Sequence, residues 1–212
     1  MFSKDPLIRP SSQIHSPHNI IPRLIKGKPI ILDIGCNTGF LGERIIRERE
    51  AVFDGVDINQ EALKRAEKHY RRVYRRDLYH PILNIDKEKY DYIIFSDVLE
   101  HLPRPDLLLK NSRKYLKNNG RIIISLPNIA RLELRLKHLF GSFEYSPGIM
   151  SEDHLRFFTR RSAVAMIEEC GYRIEVIYPT GLGYILKIFP TLTAFQFIYV
   201  CKKNTESRIK KV

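Results

Sequence analysis

Residues 30–40 read Ile30-Ile31-Leu32-Asp33-Ile34-Gly35-Cys36-Asn37-Thr38-Gly39-Phe40. Apolar residues lead into an acid, a Gly-x-Asn-x-Gly turn follows, and Leu41, Ile45 and Ile46 then recur at helical spacing. That order spells a buried strand, a tight loop and a helix. Gly35 and Gly39 permit positive φ and close approach of a ligand to the backbone, and Asn37 also tolerates the left-handed region. The stretch is therefore expected to cradle a nucleotide-type cofactor. It lacks the Gly-x-Gly-x-x-Gly spacing of dinucleotide binders and the Lys-Ser/Thr ending of a phosphate loop, which places a nicotinamide-dependent oxidoreductase last among the alternatives.

The run Asp33-Ile34-Gly35-Cys36-Asn37-Thr38-Gly39 resembles the first motif of the class I S-adenosylmethionine-dependent methyltransferases, an acid followed by Gly-x-Gly-x-Gly, with Asn37 in place of the middle glycine. The resemblance implies an α/β domain with a Rossmann-like seven-stranded, mostly parallel sheet and helices on both faces. It implies methyl transfer from S-adenosylmethionine, with Gly35, Asn37 and Gly39 at the cofactor and Asp33 orienting its methionine part. Downstream, Val52-Phe53-Asp54-Gly55-Val56-Asp57-Ile58-Asn59 reads as a strand ending in an acid, at the ~20-residue interval of a ribose-hydroxyl acceptor. Asp57 matches the family's ribose-binding acid. Its competing role is N-cap of the helix from Gln60, which Asn59 can fill equally well. Asp77-Leu78 matches the position where the family often sets an acid against the adenine amine.

Tyr90 to Asp97 reads as the fourth strand, and the segment leaving it, Val98-Leu99-Glu100-His101-Leu102-Pro103, resembles the fourth motif of the same superfamily. Asp97 counts both among the expected cofactor contacts and, with Glu100, His101 and His154, among the ionisable residues expected beside the acceptor. On one helical turn Asp97, Glu100 and His101 share a face, a set suited to an oxygen-preferring divalent ion. Asp97-Val98-Leu99-Glu100-His101 resembles the Glu-x-x-Glu-His motif of the ubiquinone-pathway O-methyltransferases and of the small-RNA terminal 2′-O-methyltransferases, with Asp97 replacing the first glutamate. Asp153-His154-Leu155-Arg156-Phe157-Phe158-Thr159 resembles the surroundings of a further metal histidine in the RNA enzymes. Two roles stay open for these residues. They form a metal site of Asp97, Glu100, His101 and His154, or His101, His154 and Glu100 carry out metal-free proton transfer, an imidazole being a competent base near neutrality.

The rest of the chain is expected to alternate helix and strand. Helices are expected over 19–26, 60–72 and from Pro105 through Leu116 to the stop at Asn118-Asn119-Gly120, with strands over 73–77, 121–125, 173–178 and 195–202. Thr159 is expected to cap a helix ending before Gly171. Residues 1–27 are expected to form an arm and lead-in helix, 28–203 the methyltransferase domain that the resemblance implies, and 204–212 a charged tail. Within the domain, 129–158 is expected to be a lid over the acceptor site, because ligands of open α/β sheets sit beyond the carboxyl ends of the strands. Leu126-Pro127-Asn128, the Phe140-Gly141 region and 153–159 look most like methyltransferases of glycan-assembly clusters, so the expected acceptor is a hydroxyl of a glycan or other small polar metabolite.

A chain of 212 residues with 43% hydrophobic content can bury one sizeable core. Cys36, Cys170 and Cys201 are too scattered for a disulfide framework or structural zinc, which with a polar, proline-broken start points to the cytoplasm. The net charge of +12 admits a polyanionic partner, most densely at Lys64, Arg65, Lys68, Arg71, Arg72, Arg75 and Arg76, and otherwise reads as a solvated face. It supports an RNA 2′-O-methyltransferase as the first rival, although no separate RNA-binding module is recognisable. A non-catalytic cofactor-binding protein is the second. Residues 181–190 are too short and interrupted to span a bilayer, and peripheral lipid contact there is the alternative to core packing.

Overall fold

In the computed structural model, residues 16–85, 89–182 and 189–204 are described. Seven strands form one sheet: β1 (Ile30–Ile34), β2 (Val52–Asp57), β3 (Arg72–Arg75), β4 (Tyr90–Ser96), β5 (Leu116–Pro127), β6 (Tyr172–Pro179) and β7 (Gln196–Lys203), in the order β3-β2-β1-β4-β5-β7-β6. All pairings are parallel except those of β7, which runs antiparallel to β5 and β6. The helices are α1 (Pro17–Leu24), α2 (Phe40–Glu48), α3 (Gln60–Ala66), α4 (Pro105–Ser112), α5 (Leu132–Leu139), α6 (Arg160–Glu169) and the short α7 (Pro190–Thr193). This is the Rossmann-like architecture that the motifs imply.

The central strands are buried on both faces, so their sequences are apolar runs without alternation, interrupted by Asp33 in β1 and Asp91 in β4. Alternate residues of β1 enter opposite cores. Ile31 joins Ile21, Leu41, Ile45, Phe53 and Leu63 under α1, α2 and α3, whereas Leu32 and Ile34 join Leu108, Leu109, Ala163 and Ile167 under α4 and α6. Strand order reverses between β1 and β4, and a crevice opens at the carboxyl ends of strands flanking such a reversal. Residues 35–39 and Asp97 leave the sheet at those two ends.

Several boundaries differ from expectation. Helix α3 stops at Ala66 because the chain must turn for Tyr70 to enter the core and for Arg71 to reach Asp54. Asp54 is fully buried and accepts Nε (2.9 Å) and Nη2 (2.6 Å) of Arg71 and the hydroxyl of Tyr90 (2.8 Å). Arg71 thus leaves the expected basic face for a structural ion pair. Helix α4 ends at Ser112, whose hydroxyl donates back to Leu109 O, and Leu116 already pairs with Tyr90. The expected stop at Asn118-Asn119-Gly120 is an irregularity inside β5. A Cβ on Gly120 would lie 3.0 Å from the carbonyl oxygens of Tyr90 and Asp91, so only glycine lets the strands close there. Helix α1 begins two residues before the expected start, and the expected lid segment 129–158 contains the helix α5. Thr159 caps α6 in a reciprocal capping box with Ser162. Most of 181–190 lies outside the described residues. No helix among those described is long and apolar enough to cross a membrane.

Candidate active site

The loop after β1 is built by backbone constraint. Gly35, Asn37 and Gly39 all have positive φ, at 76°, 48° and 76°. The amides of Gly35 and Cys36 donate to Val56 O (2.7 and 3.1 Å), which fixes the loop to β2. A Cβ on Gly35 would stand 2.3 Å from Cγ2 of Val98, so the residue leaving β4 closes the loop from the other side.

Asp57 is not the helix cap. Asn59 caps α3 by accepting from Glu61 N and Ala62 N, while Asp57 accepts Asn37 N on Oδ2 and Asn59 N on Oδ1, each at 2.8 Å. The acid therefore ties the loop to the end of β2. Asp33 is buried and accepts the hydroxyl of Tyr70 at 2.6 Å. Burial pushes its carboxyl up to about 7, against the Tyr70 hydrogen bond and with the charge of Asp57 adding to the rise. Asp77 is exposed and accepts Tyr79 N at 2.9 Å.

These residues line one cavity of about 360 Å³. Asp33, Gly35, Asn37 and Asp57 line it, together with Ile58, Asp77, Leu78 and Tyr79 from the segments after β2 and β3, and with Ser96, Asp97, Val98, His101 and Leu102 from the end of β4 and Asp153 from segment 129–158. Gly39 is not among the lining residues and acts as the left-handed N-cap of α2, close against Ala66. Two buried polar atoms on the wall, Asn37 Oδ1 and Ser96 Oγ, have no hydrogen-bond partner among the described residues. Unpaired polar atoms in a mostly apolar cleft of this size fit a polar, nucleoside-bearing cofactor.

Asp97 has φ 55° and is gripped by tertiary contacts. Its Oδ1 accepts Ser125 Oγ (2.6 Å) and Gln196 Nε2 (2.8 Å), and its amide donates to Ser125 Oγ (2.9 Å). Oδ2 has no protein partner among the described residues.

Glu100, His101 and His154 offer ligand atoms that all lie within 4.8 Å of one another, and Asp97 is not in this group. Segment 129–158 returns to the turn after β4: the amides of Leu155 and Arg156 donate to Glu100 O (2.8 and 2.9 Å), and the Arg156 guanidinium donates to Pro103 O. The rings of His101 and His154 meet edge to face at 4.8 Å. Nδ1 of His101 is 3.0 Å from Asp153 O and Nδ1 of His154 is 3.0 Å from Ile149 O. A carbonyl can only accept, so both Nδ1 atoms carry the proton and both Nε2 atoms keep a lone pair. Glu100 is 1% exposed with neither carboxylate oxygen paired among the described residues. Burial, reinforced by Asp97, holds its carboxyl well above the usual range, and burial lowers the imidazole of His154. An unpaired buried acid beside two imidazoles with fixed tautomers is a donor set that could hold a divalent ion, with the backbone carbonyls as orienting partners.

His18, which the motifs did not single out, also lines the cavity, as does Phe40. The helix is expected from Asn19, which leaves His18 outside it; α1 begins at Pro17 and carries His18 one turn before buried Ile21.

Comparison with known proteins supports the family that the motifs resemble. The methyltransferase-domain family matches residues 13–176. Ubiquinone biosynthesis O-methyltransferases of Coxiella burnetii strains are 28% and 31% identical over 167 residues, covering 76% of this chain and 69% of theirs. A TehB-like SAM-dependent methyltransferase from Corynebacterium glutamicum superposes with a TM-score of 0.64 at 18% identity, over 91% of this chain and 90% of that one. The magnesium protoporphyrin IX methyltransferase of Synechocystis, solved with bound SAH, gives 0.61 at 17% identity, over 87% and 78%.

Proposed function

Because this chain belongs to the class I S-adenosylmethionine-dependent methyltransferases, we propose that it methylates a hydroxyl of a small-molecule acceptor held between the cofactor cavity and the Glu100–His101–His154 cluster. The observation that carries this reading is the placement of that cluster. His101 and Asp153 line the same cavity as the glycine loop, so the group able to manage a hydroxyl proton adjoins the cofactor.

Gly35, Asn37 and Asp33 hold the amino-acid and ribose portions of the cofactor, Asp57 the ribose hydroxyls and Asp77 the adenine rim. Methyl transfer from a sulfonium needs in-line alignment and loss of the acceptor proton, little more. Glu100, His101 and His154 would hold a divalent ion, whose charge stabilises the acceptor oxyanion when bound. The protein orients both imidazoles through Asp153 O and Ile149 O, and its buried Glu100 must lose its proton for the ion to bind.

A metal-free base is the second reading. It is favoured by the carboxylate of Asp153, 3.5 Å from His101 Nδ1, which would stabilise the imidazolium formed. Of the two expected acceptors, a glycan or another small polar metabolite, the relatives' names favour the small molecule, and nothing among the described site residues singles out RNA.

Acceptor panels of hydroxylated aromatics, sugars and RNA oligonucleotides, assayed with S-adenosylmethionine before and after chelation, test the reading. Turnover of a small hydroxylated molecule that chelator abolishes and divalent metal restores is the expected result. Turnover that survives chelation and fails in His101→Asn assigns the base. Methylation of RNA alone, or at nitrogen, refutes the proposal.

A further inference from the structure

We propose that His18 positions the amino-acid end of the cofactor, its imidazole N–H donating to the α-carboxylate of S-adenosylmethionine while Asp97 takes the α-ammonium. This rests on the methyltransferase assignment and on Asp97 as a cofactor contact, and it adds a residue from outside the strand-loop-helix motif.

His18 sits on α1, which packs against α2 and β7. His18 thus lines the cavity from α1, whereas Asp57 and Asp77 line it from the ends of β2 and β3. Its ring packs edge-on against Phe40 at 5.8 Å, and it makes no hydrogen bond to any described residue. Asn19, the next residue, accepts from the Arg44 guanidinium and donates to Ser16 Oγ, which seats this turn of α1 on α2.

A cofactor with a zwitterionic end needs an acid and a donor side by side, because a carboxylate or ammonium left unpaired against protein is costly. Asp97 supplies the acid through its free Oδ2. Among the imidazoles on this wall, His101 is already engaged with Asp153, which leaves His18. Charge interactions agree with the placement: burial lowers the His18 imidazole, Asp97 opposes that shift and Arg44 adds to it, so the ring feels the charge of Asp97 across the cavity they both line. A neutral imidazole still carries one N–H to donate.

The test is calorimetric titration of the full chain with S-adenosylmethionine, its decarboxylated analogue and 5′-methylthioadenosine. The wild type is expected to bind S-adenosylmethionine about tenfold more tightly than the decarboxylated compound, the scale of one charge-assisted hydrogen bond. His18→Ala should erase that margin and leave the other two affinities within about twofold, and His18→Gln, which keeps an N–H, should restore part of it. Equal wild-type affinity for the carboxylated and decarboxylated compounds overturns the proposal without recourse to any variant. So does an equal loss for all three ligands in His18→Ala, or an effect confined to acceptor KM. If the wild type binds none of the three, the cofactor site itself is misassigned, a failure distinct from these.

Discussion

A methyl group at position 35 has nowhere to go, because Val98 occupies the space and the backbone has φ 76°. Gly35→Ala should destabilise the fold by about 1–3 kcal/mol and weaken cofactor binding. Adding Val98→Ala should recover the steric part and leave the conformational part, which chemical denaturation of the single and double variants would resolve. Asp33 gives a pH signature. Its carboxyl titrates near 7 in the folded protein against 3.8 as the ordinary value, so the folded state holds a proton that the unfolded chain releases. Stability is therefore fully present below about pH 4 and falls as pH rises towards 7, by about 1.4 kcal/mol per pH unit from this group. In the cofactor-free protein Asp33→Asn should remove that component from the stability-against-pH curve over pH 4 to 7, with the difference from wild type isolating Asp33 from Glu100. Identical curves would refute the shifted carboxyl.

The loop between β5 and α6 departs furthest from a minimal α/β unit. Its ends are pinned, at Ile129 N to Phe158 O (3.0 Å) and by Leu155 and Arg156 on Glu100 O, while Leu132, Leu136, Leu139, Phe140 and Phe143 between them are exposed. Replacing 132–145 by a short polar linker should leave S-adenosylmethionine affinity within about twofold, since none of these residues lines the cofactor cavity, and should raise acceptor KM several-fold. Unchanged acceptor kinetics would remove the lid role. The strand-loop-helix at 30–48 was legible because glycine spacing and apolar period are local properties. The end of α3 was not. Lys64 to Arg72 has good helical composition throughout, and what stops the helix is a distant acid, Asp54, that must be paired once buried. Arg71→Met should accordingly cost about 3 kcal/mol or more, measured by urea denaturation, and the added loss of Tyr90 in Arg71→Met/Tyr90→Phe should be non-additive because both act on one carboxylate.

The whole molecule is organised by the reversal of strand order between β1 and β4, which brings chain segments far apart in sequence to one crevice. A ligand that binds only the folded state stabilises it, so S-adenosylmethionine at one hundred times its Kd should add about 2.7 kcal/mol, visible as a raised Tm that Asp57→Ala diminishes. The amino-acid sequence by itself determined the fold class, through the family motifs it carries, and the strand-loop-helix at 30–48 with the acids at the ends of β1, β2 and β4, because each of these depends on residues close along the chain. Only the tertiary structure decided that Ser125 and Gln196 hold Asp97, that Asp153 and His154 meet His101 while Asp97 stands apart, and that His18 lines the cavity. Those pairings join positions separated by 28 to 99 residues for Asp97 and by 52 for His101 and Asp153. No local pattern encodes them, since they arise from burial: once packing removes water from these groups, the nearest protein partner must replace it.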